Sequence, residues 1–309
     1  PRVRRVSRLG NFIRSNLRLP TLAGNTTTRS RGPGCEKMRR STSPPAAPIL
    51  YTRHELLQGG IVGELPAWGQ LLGEARFHTY MSEAGEDTHR AIELYQWSTA
   101  LAGAFVPQLA HFEVLTRNSL NSALRVWNSR QPGYLNVFDW ALDDQTAPRL
   151  YSLIGKDLGR ARVWARQQAS DREVGHPRRN AAITHDDVLA QLTMGTWVKL
   201  LGAGAKQDAA AKQTSEDIWV EHLHVAFPNA GSVNIADPGR RRSLGARYAR
   251  IAKLRNRISH HEHLLHVDVR RRVNDLLSVL GEINPDLPAW VMEGSRIRQV
   301  NSQDPRKTR

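Results

Sequence analysis

Between about residue 53 and residue 300 the apolar residues recur every three to five positions, and no stretch alternates strictly between apolar and polar. A half-buried strand needs a period of two and a surface helix one of 3.6, so the pattern confines this region to helices. Asp87 to Phe105 places Ile92, Leu94, Tyr95, Leu101 and Phe105 in one mostly apolar helix. Pro107 then stands where a first-turn proline belongs, opening a second amphipathic helix from Gln108 to Trp127. Pro132-Gly133 breaks the period, and Pro148 starts a long helix through Tyr151, Ile154, Leu158 and Trp164. Thr184 with Asp187 three positions on has the form of a capping box opening Val188 to Leu192, and Gly195 is expected to break that helix before Trp197 to Leu201. Ser215 is read as the cap of Ile218 to Phe227, followed by helices over Ser243–Leu265, Val267–Ile283 and Pro288–Val300. The expected fold is all-α, with roughly eight to ten helices and no solenoid repeat. The eight tryptophans are spread along these helices, as packing residues rather than a base-stacking platform.

The formal charge of +15 is not a property of the helical region. Residues 1 to 53 hold 12 Lys and Arg against one acid, Glu36, and residues 294 to 309 hold five against one. The 240 residues between them carry 27 of each sign. Within that neutral body, positions 240 to 272 hold 11 bases and two acids, Glu262 and Asp268, so the folded part has one basic stripe. The organisation expected is a disordered basic leader over 1–48, a helical domain over 49–293 and a basic tail over 294–309. Met38 precedes the periodic region, which predicts a natural start there, with residues 1 to 37 as translated upstream sequence or an added extension. The rival reading of the same segment is a basic RNA-binding arm. No run of about 18 apolar residues exists, so no spanning helix and no membrane partner are expected. The single cysteine, Cys35, excludes a disulfide framework and fits a reducing, cytoplasmic setting.

Several chemistries lack their residues. No GxxxxGK[ST] or GxGxxG occurs to cradle a nucleotide, and no GxSxG elbow presents a nucleophile. The tract from His260 to His266 invites a metal, but the zincin pattern needs two His four apart, about 40° around a helix. His261 and His266 are five apart, about 140° around. His263 with His266, or His260 with His263, could still share a metal, though partly exposed helix-end histidines explain the tract without one. No metal or other cofactor is expected.

The strongest local signal is Lys253-Leu254-Arg255-Asn256-Arg257-Ile258-Ser259-His260-His261-Glu262, inside the basic stripe. Its Arg255-Asn256-x-x-x-His260 resembles the Arg-polar-x-x-x-His signature of the HEPN superfamily of ribonucleases, and the stretch from Leu254 to Leu265 looks like the variant in the Abi-like, abortive-infection family. Earlier segments are similar in the same order. They are Leu94 to Ser98, His111 to Asn118, Met194 to Leu201, and Ile218-Trp219 through Ala226-Phe227-Pro228. The resemblance spans about residues 50 to 285.

This resemblance implies a HEPN-like helix bundle and a metal-independent endoribonuclease for phage defence, with a composite site where two copies of the motif face each other in a homodimer. A partner antitoxin, RNA or protein, would hold it silent. The residue chemistry is independently suitable. Histidine titrates near neutrality and can take or give the ribose proton, while arginine keeps its charge and offers bidentate donors to phosphate. Arg255 and His260 are the expected catalytic pair. On an ideal helix they diverge by about 140°, so either the long Arg255 side chain reaches around or the helix distorts near His260. Supporting roles are expected for Asn256, His261, Glu262, Glu113, Arg117 and Asn118, with Glu113 and Arg117 forming an i,i+4 pair or bracing Arg255. Arg250, Lys253, Arg257, Arg241 and Arg271 are the expected RNA-backbone contacts. A different class of function, a non-catalytic RNA-binding or scaffold protein, remains the alternative reading.

Overall fold

A computed structural model describes residues 68–229 and 234–307. The expected leader over 1–48, Cys35, Met38 and the expected domain start at 49 lie outside the described residues. Among the described residues the chain forms eleven α-helices and one 3-10 turn, with no strand, in agreement with the all-α reading. No helix among them is long and apolar enough to cross a membrane.

Two short helices, α1 (Trp68–Leu72) and α2 (Glu74–Glu83), precede α3 (Thr88–Asn128), which organises the fold. Asp87 caps α3 by accepting the Arg90 N–H at 3.1 Å. The two helices expected on either side of Pro107 are one helix of 41 residues, about 60 Å long. The reason is where the proline faces. Leu94, Leu101, Phe105, Leu109, Phe112, Leu120 and Leu124 form an unbroken buried stripe, whereas Gly103 and Pro107 lie on the exposed side. Pro107 lacks an N–H, so the Gly103 carbonyl loses its i+4 donor. That defect falls on the outer face, and core packing holds the two halves in line.

Pro148 opens α4 (Pro148–Asp171) as expected, and Leu150, Ile154, Leu158, Ala161 and Ala165 bury its inner face. Tyr151 and Trp164, through which the sequence also traced this helix, are exposed. The capping box at Thr184 and Asp187 is present and opens α5 (His185–Gln191). The break falls at Leu192-Thr193, where the backbone is extended, and Gly195 sits inside the first turn of α6 (Met194–Leu200). Helix α7 (Ala209–Glu221) begins earlier than expected because Asp208, not Ser215, caps it. Ser215 is buried in mid-helix, donating to the Ala211 and Lys199 carbonyls. A 3-10 turn (Leu223–Ala226) leads toward α8 (Pro238–Ser259), capped by Asp237, and α9 (Val269–Ile283), capped by Asp268.

The expected helix over Pro288–Val300 is split into α10 (Leu287–Met292) and α11 (Ile297–Ser302) by a turn at Gly294, whose φ of +68° suits glycine. The tail expected from residue 294 is part of the body. Ile297 and Val300 are buried, the Trp97 indole donates to the Val300 carbonyl at 2.9 Å, and Arg306 pairs with Glu83 and Asp304. One core serves all of this. Trp97, Trp127, Trp140, Trp197 and Trp219 are buried in it, as expected of packing tryptophans, while Trp164 and Trp290 are exposed.

Candidate functional site

The motif occupies the end of α8. The helix stops at Ser259, His260 is its C-cap, and His261 takes the left-handed conformation with φ +54°. The His261 N–H donates to the Ile258 carbonyl at 3.1 Å and the Glu262 N–H to the Arg257 carbonyl at 2.8 Å. These two bonds make a complete Schellman motif, with histidine where glycine is usual. The helix expected to run to Leu265 therefore ends six residues earlier, while His260 keeps a helical bond from its N–H to the Asn256 carbonyl, so its side chain still diverges from Arg255 by about 140° around the axis. His260 is exposed, and its imidazole has no hydrogen-bond or ion-pair partner among the described residues. Asn256 is likewise exposed, and its carbonyl accepts the His260 N–H at 2.9 Å.

Arg255 is half-buried and its Nε lies 3.6 Å from the Glu113 carboxylate on α3. The i,i+4 pair within α3 is not formed, since Glu113 turns across to α8 instead. Two contacts the sequence did not single out fix that meeting. Phe112 packs on Tyr248 with ring centroids 5.1 Å apart, and the Tyr248 hydroxyl meets the Thr116 hydroxyl at 3.1 Å. Burial pushes the Tyr248 phenol well above its usual range, so it stays a neutral hydrogen-bonding group. Arg117 is half-buried near this contact, and its Nε has no hydrogen-bond partner. Asn118 is exposed, with its carbonyl accepting the Ser122 hydroxyl. Glu262 lies 3.5 Å from Arg257.

Beside the motif, α8 and the start of α9 enclose a basic concavity of about 310 Å³. Four of the five expected RNA contacts, Arg250, Lys253, Arg257 and Arg271, line it, together with Arg272 and His266. Lys253 and Arg271 reach solvent without a side-chain partner among the described residues. Arg250 is held by both Asp275 oxygens at 2.9 and 2.6 Å, a bond that raises its pKa, and Arg272 reaches the same carboxylate at 3.0 Å. Arg257 donates to the His263 carbonyl at 3.0 Å. Burial, and then the charge of Arg257, lowers the pKa of His263. The spacing of Arg272 and Asp275, three apart, was the available signal for this brace.

The fifth expected contact, Arg241, requires correction. It is buried, donates to the Leu201 carbonyl at 2.9 Å and pairs with Glu216 at 2.9 Å. Its guanidinium joins α6, α7 and α8 and cannot reach a backbone outside. Among the described residues no group of three or more His, Cys, Asp or Glu is placed to hold a metal ion. His266 lies 3.4 Å from Glu83, and its ring stands perpendicular to that of His263. No protein-family model matches this chain, and no curated protein or solved structure is detectably similar to it.

Proposed function

We propose that the protein is a metal-independent endoribonuclease of the abortive-infection, HEPN-like kind, acting in the cytoplasm in phage defence. The observation that carries this reading is the end of α8, where His260 is exposed and unpartnered, Arg255 pairs with Glu113 on α3, and Lys253 and Arg257 of the same motif line a basic concavity. In the reaction proposed, histidine removes the ribose 2′-hydroxyl proton, the 2′-oxygen attacks phosphorus, and the 5′-oxygen leaves as a protonated hydroxyl. The products are a 2′,3′-cyclic phosphate and a 5′-hydroxyl, and DNA, lacking the 2′-hydroxyl, is inert. Arg255 faces the charge that builds on the phosphorane. A single exposed histidine cannot readily serve as base and acid at once, so two motifs facing each other in a homodimer supply both proton transfers. An antitoxin RNA or protein covering the same exposed residues would hold the enzyme silent.

Cleavage of RNA by the purified protein in EDTA, lost in His260→Ala and in Arg255→Ala, is the expected result. Undiminished cleavage in those variants overturns the assignment. The alternative, a non-catalytic RNA-binding or scaffold protein, draws on one observation. The Glu113 carboxylate already neutralises part of the Arg255 charge. RNA binding of normal affinity without cleavage of any RNA favours that alternative.

A further inference from the structure

In the basic concavity between α8 and α9, one positive charge is largely buried without a counter-ion of its own. The Arg272 side chain is 14% exposed, and its one ion-pair contact among the described residues is the Asp275 carboxylate at 3.0 Å. Both oxygens of that carboxylate already accept from Arg250, at 2.9 and 2.6 Å. Burial lowers the pKa of Arg272, and the charges of Arg250 and Arg271 press it the same way against the pull of Asp275. A buried cation that shares its carboxylate with a second arginine is under-neutralised. An anion in the concavity that Arg272 lines removes that deficit.

The charge balance gives the size of the deficit. Arg250, Lys253, Arg257, Arg271 and Arg272 line the concavity, and among the described residues Asp268 is the one acid in its wall. Asp275 holds Arg250 and Arg272, and Glu262 lies 3.5 Å from Arg257. Five cations against these three acids leave two positive charges. His266, at the edge, faces Glu83, a carboxylate that also holds Arg306. Asp268 uses one oxygen to cap α9 through the Arg271 N–H, whereas the side chains of Lys253 and Arg271 are exposed and have no partner among the described residues. The volume of about 310 Å³ is at the small end of ligand pockets, room for one terminal group rather than a run of strand.

We infer that this concavity binds a phosphomonoester dianion, the terminal phosphate of an RNA or of a free mononucleotide. A phosphodiester inside a strand brings one negative charge, whereas a terminal phosphate brings about 1.5 to 2 at pH 7, with three strong acceptor oxygens. That charge matches the two left over. Its oxygens meet Arg272 with Lys253 and Arg271 around them, in charge-assisted hydrogen bonds. The inference rests on the proposed RNA substrate for one of its two sources only, and the cleavage chemistry does not enter it.

The test is equilibrium binding of the full chain to a short 2′-O-methyl oligoribonucleotide, whose blocked 2′-oxygens prevent cleavage. It is prepared with hydroxyls at both ends, or with a phosphate or a methyl phosphate at the 5′ or the 3′ end, and free nucleoside monophosphates are titrated alongside. A phosphorylated form is expected to bind at least ~10-fold tighter than the hydroxyl form, and the singly charged methyl ester should lose most of that gain. A phosphorylated oligonucleotide that outcompetes the nucleoside monophosphates names the RNA end as the source, and the reverse order names the free nucleotide. Arg272→Met removes the buried charge and should abolish the gain while leaving affinity for the hydroxyl form nearly unchanged. Because the lost cation was under-neutralised, that variant should keep its Tm to within a few degrees. Lys253→Ala, at an exposed position where the fold is not at stake, should diminish the gain as well. Three results overturn the inference. They are equal affinity for phosphate and hydroxyl forms with no binding of nucleoside monophosphates, a gain kept in full by the methyl ester, and a gain undiminished in Arg272→Met or in Lys253→Ala. Cleavage of RNA in EDTA is read separately, so its failure leaves this result standing.

Discussion

The guanidinium of Arg255 on α8 stands 3.6 Å from the carboxylate of Glu113 on α3. Glu113 thereby sets the direction of the one arginine that the proposed reaction needs, because the end of α8 itself leaves that side chain half-exposed. Removing the carboxylate frees Arg255 to swing, and a displacement of about 1 Å at a catalytic group costs up to roughly 100-fold in rate. Glu113→Ala is therefore expected to lower RNA cleavage ~10- to 100-fold while changing stability by no more than about 0.5 kcal/mol, since the pair is substantially solvated. A double-mutant cycle separates positioning from any direct role. In an Arg255→Ala background the further change Glu113→Ala should cost nothing more.

Lys253 and Arg271 present unpaired charge at the basic concavity, whereas Arg241 is locked inside. RNA affinity measured across a salt series should distinguish them. Lys253→Ala and Arg271→Ala should weaken binding evenly across sequences, each reducing the slope of log K against log salt by about 0.7 to 1. Arg241→Ala should instead appear in urea denaturation. It strands the Leu201 carbonyl and half of Glu216, a loss on the order of 3 kcal/mol. An Arg241→Ala protein that folds normally but binds RNA poorly would restore Arg241 as a surface contact.

Helical periodicity made most of this fold legible, and its failures have local causes. Pro107 reads as a helix start because a proline in a helix interior is costly, and only the buried stripe from Leu101 through Phe112 reveals that the helix continues. Ser215 reads as a cap because its hydroxyl suits one. In mid-helix that hydroxyl bonds to carbonyls, and Asp208 opens the helix instead. The motif at Arg255 to His260 was visible as a string of residue types, but the helix was expected to run on to Leu265, because a histidine in the left-handed turn at 261 carries no glycine mark of the helix end. Arg241 was misplaced because a run of three arginines carries no mark of which one faces inward. Burial depends on Leu201 and Glu216, both distant in sequence.

His261 pays for the turn that ends α8 just after His260. A non-glycine residue at φ +54° is strained, and that conformation costs an L-residue roughly 1 to 2 kcal/mol. His261→Gly keeps both Schellman hydrogen bonds, which are made by the backbone, and should stabilise the fold by about 1 kcal/mol, or roughly 2 to 4 °C in Tm. A β-branched residue such as valine at 261 should have the opposite effect. If His261 acts only through the turn, His261→Gly retains cleavage. A loss of cleavage with raised Tm would give its imidazole a direct part in the reaction.

Stability should also fall as the solution is acidified below neutrality, and His185 is the main source. It is 4% exposed, its Nδ1 accepts the Ala141 N–H at 3.4 Å, and its Nε2 bonds to the Asn121 side-chain oxygen at 2.9 Å, with Trp140 edge-on beside it. That arrangement takes a neutral ring with the proton on Nε2. Burial first, and then the charge of Arg125, lowers its pKa. The unfolded imidazole gains a proton near pH 6.5 while the folded one does not, so the unfolded state binds more protons and stability drops as pH falls through that value. One such histidine contributes at most about 1.4 kcal/mol per pH unit, and the decline levels off once the folded ring also titrates. His222 and His263 are lowered as well, from less enclosed positions, and add to the same trend. Urea denaturation followed by tryptophan fluorescence between pH 7.5 and roughly pH 5 should give that decline, and His185→Gln should flatten most of it. An unchanged slope in that variant would move the acid sensitivity to His222 and His263.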